Sequence, residues 1–260
     1  MKRTHLQLLP QKRTSSSGVA ERSPMNWLEI RKYKNTRLGR GSLLKFSKSS
    51  PSGGEVVMLV CDSPRGKLQL GLIPITGDKA GYNYFVMFPE DLLYKIRFIT
   101  AGMVYDNWDE WIGPDYLRES ALILREGLDA QDLTAIRRHS IIDSSSDVRR
   151  INWAKLSENK EIALSRGSLV RFSASYPFED EVVMMLCNSA IRERAIGLIT
   201  ISGYKAGFNC YTTFPEQVRN ADGTITAGLI YDNWATWIWP DWSPDSAWIL
   251  QGGLSVEDLQ

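Results

Sequence analysis

The chain has 260 residues, with 31 Lys and Arg against 30 Asp and Glu and a hydrophobic share of 43%, which is ordinary globular usage and argues against wholesale disorder. At roughly 100–200 residues per domain this length makes one large or two small domains, and a net charge of +1 gives no ground for a whole-chain nucleic-acid or membrane binder. Two histidines, His5 and His139, both in polar segments, argue against a Ser-His-Asp triad, a Cys-His dyad or a histidine-built metal site.

Residues 1–25 are rich in Ser and basic side chains and poor in aromatics, a composition that predicts a disordered head. They hold no apolar stretch of signal-peptide length. Met25 is either the start of translation or the end of a flexible arm. No segment has 18 consecutive apolar residues, so no membrane span is expected. Cys61 and Cys187 end apolar runs and read as buried thiols. Three cysteines cannot build a disulfide framework. A reducing compartment is the expectation.

Residues 152–259 repeat residues 26–133 at a constant offset of 126 without a gap. Asn26-Trp27 matches Asn152-Trp153, and Arg40-Gly41-Ser42-Leu43 matches Arg166-Gly167-Ser168-Leu169. Glu55-Val56-Val57-Met58 matches Glu181-Val182-Val183-Met184. Tyr105-Asp106-Asn107-Trp108 matches Tyr231-Asp232-Asn233-Trp234. Roughly half the aligned positions are identical. A period this long exceeds the roughly 20–50 residues of solenoid repeats, so the organisation expected is two tandem homologous domains, 26–133 and 152–260. Residues 134–151, polar and centred on Ser144 to Ser146, read as the linker. The first copy carries 14 basic and 14 acidic residues, net 0. The second carries 8 and 13, net −5.

Within each unit the pattern begins with a short strand-like run, Gly41 to Phe46 and Gly167 to Phe172. Glu55 to Cys61 and Glu181 to Cys187 are continuous apolar runs whose length and Val content predict a buried central strand. Gly71 to Ile75 and Gly197 to Ile201 follow, each leading through a turn into another β-rich run, a hairpin signature. Pro74 marks an edge or irregular position. Val104, Trp108, Trp111 and Ile112 then lie on one helical face, capped by Thr100; Ile230, Trp234, Trp237 and Ile238 repeat this after Thr226. Ala121 to Leu124 and Ala247 to Leu250 read as a last strand. The fold class expected is α+β, each unit a mostly antiparallel sheet with one principal helix packed on it.

Three segments invite a chemical reading. The turns around Lys79-Ala80-Gly81 and Lys205-Ala206-Gly207 superficially resemble a phosphate loop, but Lys is followed by Ala and then by a strand, so they read as structural turns. Asp106 with Asp109 or Glu110 poses as a carboxylate pair, but the second copy has Ala235 and Thr236 there; a core-anchoring helix is the better account. The linker arginines, Arg137, Arg138, Arg149 and Arg150, come with no recognition motif, so nucleic acid is not an expected partner. No cofactor or metal is expected.

The second copy is richer in aromatic and acidic residues. Trp239 stands where the first copy has Gly113, Trp242 where it has Tyr116, Trp248 where it has Leu122 and Tyr204 where it has Asp78. Such residues either make a binding surface or fill a larger inter-domain core. The stretches RGSLVRFSASYPFEDEVVMMLC, GLITISGYKAG and ITAGLIYDNWATWIWPD resemble the bacterial immunity protein 45 family, whose members accompany polymorphic toxins. The resemblance covers the second copy directly and the first through the repeat. The first copy departs at Asp78. What the resemblance implies is a cytosolic, non-enzymatic protein that binds and blocks a cognate toxin. The expected toxin contacts are Tyr204, Trp239, Asp241, Trp242 and Asp245, and the net −5 suits a cationic partner. The alternative is a tandem carbohydrate- or peptide-binding module using the Trp-rich segments.

Overall fold

A computed structural model describes residues 25–50, 53–63, 69–82, 86–89, 98–134, 153–174, 179–189, 195–208, 212–238, 240 and 242–260. Most of the expected head, nearly all of the expected linker with its four arginines, both histidines, Cys210, Trp239 and Asp241 lie outside the described residues.

The first half runs β1 (Leu28–Glu29), β2 (Arg37–Leu38), β3 (Leu43–Ser47), β4 (Glu55–Asp62), β5 (Leu70–Pro74), β6 (Val86–Met87) and β7 (Ile99–Thr100). It ends with α1 (Ala101–Asp106), α2 (Trp108–Trp111), β8 (Leu122–Leu124) and α3 (Ala130–Thr134). The second half repeats this as β9 (Ala154–Lys155), β10 (Ala163–Leu164), β11 (Leu169–Ser173), β12 (Glu181–Asn188), β13 (Ile196–Thr200), β14 (Thr212–Thr213) and β15 (Ile225–Thr226). After β15 come α4 (Ala227–Asp232), α5 (Trp234–Trp237) and β16 (Trp248–Leu250).

Each half forms an antiparallel six-stranded sheet, β1-β8-β3-β4-β5-β6 in the first and β9-β16-β11-β12-β13-β14 in the second. The strand order is the same in both. The registers also correspond: Leu43 faces Leu59, and Leu169 faces Met185. Short pairs, β2-β7 and β10-β15, accompany the sheets. Pro74 closes β5 beyond the reach of β6, where its missing N–H costs no ladder bond.

The continuous apolar runs have a direct cause. Side chains on a strand alternate between faces, and here both faces are covered. Val56, Met58 and Val60 point into a core shared with Val104, Trp108 and Ile112 of their own half. Val57, Leu59 and Cys61 point the other way, into a core shared with Val183, Met185 and Cys187. The two sheets therefore pack face to face through a central seam, to which α3 adds Ala130 and Leu133, while α1 and α2 lie on the outer side of one sheet and α4 and α5 on that of the other. Cys61 and Cys187 are buried thiols in that seam, and neither forms a disulfide.

The expected single helix is corrected to two short ones, interrupted at Asn107 and Asn233. Asn107 donates its side-chain Nδ2 to the Met103 carbonyl at 2.8 Å, as Asn233 does to Leu229 at 2.9 Å. Asparagine competes in this way for helical main-chain acceptors. Val104, Trp108 and Ile112 nonetheless remain on the buried side. Thr100 caps α1, accepting from Met103 N at 3.2 Å; the Thr226 side chain makes no such bond.

Candidate protein-binding surface

The turns at Lys79 and Lys205 are parts of the seam, not ligand loops. Gly81 (φ +68°) and Gly207 (φ +72°) adopt backbone that side chains disfavour. Each also abuts main chain of the other half: Leu186 for Gly81 and Val60 for Gly207. Among the described residues no group of three or more His, Cys, Asp or Glu is placed to hold a metal ion. An open depression is lined by Glu216, Gln217 and residues 219–223, where two of the charged groups have local partners. Arg219 donates to the Gly223 carbonyl at 3.2 Å, and the bonds from Thr224 hold the Asp222 carboxyl below its ordinary value.

Three of the five expected contact residues are described, and the structure divides them between two places. Tyr204 sits at the β13–β14 turn with 53% of its surface exposed. Its N–H donates to a Glu179 carboxylate oxygen at 3.0 Å, and its carbonyl lies 3.5 Å from Arg40 Nη2 of the first half. Trp242 and Asp245 lie on the outer, helix-bearing side. Trp242 is half-buried against Phe172, ring centroids 5.4 Å apart. Asp245 is exposed and accepts from the Tyr231 hydroxyl at 2.9 Å, a bond that raises the Tyr231 phenol above its ordinary value. In the first half Tyr116 packs on Phe46 and Tyr105 donates to Glu119 at 3.0 Å in the same way. Trp242 and Asp245 thus hold positions that brace both halves.

For Trp242 the reading as inter-domain core is corrected. It joins Trp234 and Trp237 in the helix-side core of the second half, not the seam. Phe172 and Phe214 supply the rings against which they stack, at 4.8–5.4 Å.

A second group lies across β11, β12 and β16. Arg171 lies between the rings of Trp153 and Trp248, at 4.9 and 5.7 Å from their centroids. Its Nε is 3.4 Å from Glu181 Oε1. Trp248 keeps 36% of its surface exposed. Burial raises the Glu181 carboxyl above its ordinary value; Arg171 opposes that shift and Asp129 of the first half adds to it. Glu179 and Asp180, both exposed, precede Glu181. The first copy has Gly53 and Gly54 at those two places. That substitution was readable from the repeat; the stacking of Arg171 on two tryptophans required the strand register.

The surface is an acidic and aromatic rim on the second half, joined by residues of the first. Its chemistry suits protein contact, since exposed aromatics supply area and charge supplies register.

Residues 156–249 match the family model of immunity protein 45. The match runs from just after β9 to the middle of β16. It includes Tyr204, Glu179 to Glu181, Trp242 and Asp245. No curated protein and no solved structure matches the chain. Among the described residues, no helix is long and apolar enough to cross a membrane.

Proposed function

We propose that this chain is an immunity protein that binds a cognate bacterial toxin and neutralises it by covering its active site. The observation that carries this reading is the immunity protein 45 match over residues 156–249. The ungapped repeat and the shared strand order extend the same assignment to residues 26–133. On this reading the chain is two immunity units joined by residues 134–151, working in the cytoplasm where the toxin arrives. It acts by occupancy rather than by catalysis.

The rim around Tyr204 is the proposed contact. Its exposed carboxylates and the net −5 of the second unit suit a toxin with a basic face, as an enzyme acting on nucleic acid has. Carbohydrate stacking finds less support, because Trp108 and Trp234 are buried and Trp111 and Trp237 are only half-exposed.

The test is coexpression in a bacterial host with candidate toxins encoded in the neighbourhood of this gene. Growth should be rescued, and purified protein should abolish toxin activity near one equivalent. Continued arrest with abundant folded protein rejects the reading.

A further inference from the structure

The contact between the halves is two-fold symmetric in its chemistry. Asp62 donates its backbone N–H to the Gly207 carbonyl at 2.8 Å, and Asn188 donates to the Gly81 carbonyl at 2.8 Å. Arg40 approaches the Tyr204 carbonyl and stacks on Phe208. Arg166 donates to the Asp78 carbonyl and stacks on Tyr82. Every one of these contacts occurs twice, with the halves exchanging roles. An interface of this kind is isologous: a patch meets an equivalent patch.

Equivalent patches need not be identical, and the seam core shows how alike these are. Leu43 and Leu169, Val57 and Val183, Ile73 and Ile199 occupy matching places, as do the other buried seam positions with two exceptions. Leu59 stands against Met185, and Ala130 against Val256. Leu and Met exchange at nearly constant volume, and Val256 is only partly buried. Over the whole repeat, by contrast, roughly half the positions differ. The seam therefore repeats far more closely than the unit as a whole does.

One indole donor finds a partner on one side and lacks it on the other. Trp27 Nε1 donates to the Leu259 carbonyl at 3.1 Å. Trp153, its counterpart, has a buried Nε1 with no acceptor. In a pair made of two second halves, each Trp153 would stand where Trp27 now stands, opposite a Leu259 carbonyl. A buried donor regains its partner, which removes the cost of leaving it unsatisfied.

We infer that the seam face of the second half is a homodimerisation surface whose fitting partner is a second copy of residues 153–260. The full chain is a tethered form of that dimer, with the first half in the partner's place. Tethering lets the two outer ends differ, so one can carry Glu179, Asp180 and Tyr204 while the other carries Gly53, Gly54 and Asp78. The net −5 of each second half opposes self-pairing only at long range, where salt screens it over about 8 Å.

The test starts from the full chain with a protease site placed between residues 139 and 148. The folded protein is cut, unfolded in denaturant, refolded and read by native mass spectrometry. A folded second-half pair is expected beside the mixed pair, near 1:2:1 with the first-half pair when all three are equally stable, and at no less than roughly a tenth of the mixed pair. Gly207→Val in the second half puts one collision in the mixed pair and two in the self-pair. A tenfold loss of the first should therefore become roughly a hundredfold loss of the second. A mixture without a folded second-half pair overturns the inference, whatever else it contains. So does a self-pair that resists Gly207→Val, because it would use another surface.

Discussion

Gly81 lies so close to the carbonyl oxygen of Leu186, across the seam, that any Cβ on it would collide with that oxygen. The same residue needs φ +68° to bring its own carbonyl to Asn188. Two requirements, backbone sign and backbone clearance, converge on one atom that glycine lacks. Lys79-Ala80-Gly81 is thereby explained by contact between halves.

Gly81→Ala should destabilise the protein by about 2 kcal/mol or more, combining positive-φ strain with overpacking. Gly77 separates the two terms. It has φ +71° but open space around its missing Cβ, so Gly77→Ala should cost only about 1 kcal/mol. Urea denaturation of the two variants checks this. Equal losses would mean that the seam tolerates the extra carbon.

Trp108 is 1% exposed, lies edge-on to Phe46 at 5.1 Å and donates Nε1 to the Tyr116 carbonyl at 2.9 Å. Trp108→Ala should cost about 3–5 kcal/mol. Trp248→Ala, at the exposed rim, should cost less than about 1 kcal/mol. Denaturant midpoints decide the matter, and a comparable loss at both would make the rim structural.

Much of this arrangement was legible in the sequence, for a physical reason. Val56 to Cys61 is apolar without alternation because both faces of β4 are buried, and that excludes an ordinary half-solvated strand. The run itself is silent about what lies on the second face. That face meets Val183 and Cys187, residues distant in sequence and joined only by the fold. The helix break was hidden because the apolar spacing from Val104 to Ile112 continues through Asn107. Tyr204 stood out because the other copy has Asp78 there. Glu179 and Asp180 carried the same signal against Gly53 and Gly54. The place of Trp242 was not readable, since an exposed and a core-facing tryptophan look alike in sequence.

Stability should depend on Glu181 and on pH in a defined direction. Its folded pKa is raised above the ordinary 4.5, first by burial. A raised acid favours folding fully below its unfolded pKa and loses that contribution as pH rises through the folded value. At pH 7 the ionised side chain is therefore unfavourable. Glu181→Gln should melt higher than the parent at pH 7, with the gap closing as pH falls towards 4. Thermal melts by circular dichroism read it directly. A gap that widens in acid contradicts the assignment.

Binding should be concentrated at the rim of the second half. Tyr204 is more than half exposed, its main chain is held by Glu179 and Arg40, and its ring is left to solvent beside Lys205 at 5.3 Å. An anchored backbone with a free aromatic ring loses little entropy on binding, the property that makes tyrosine effective at interface centres. Tyr204→Ala should weaken toxin binding by about 2 kcal/mol, mostly through faster dissociation. Asp180→Lys should act differently. An exposed charge steers encounter, so reversal should slow association several-fold at low salt and little at 0.5 M. Asp245 makes a poor probe of the same idea, because removing it also frees the Tyr231 hydroxyl. Gly54→Lys, at the matching place in the first half, is the control and should leave both rates unchanged. Surface-plasmon kinetics against the proposed cognate toxin measures these three variants and Trp242→Ala, with circular dichroism confirming that each is folded. Loss confined to Gly54→Lys would move the contact to the first half. Loss confined to Trp242→Ala would move it to the helix-bearing side.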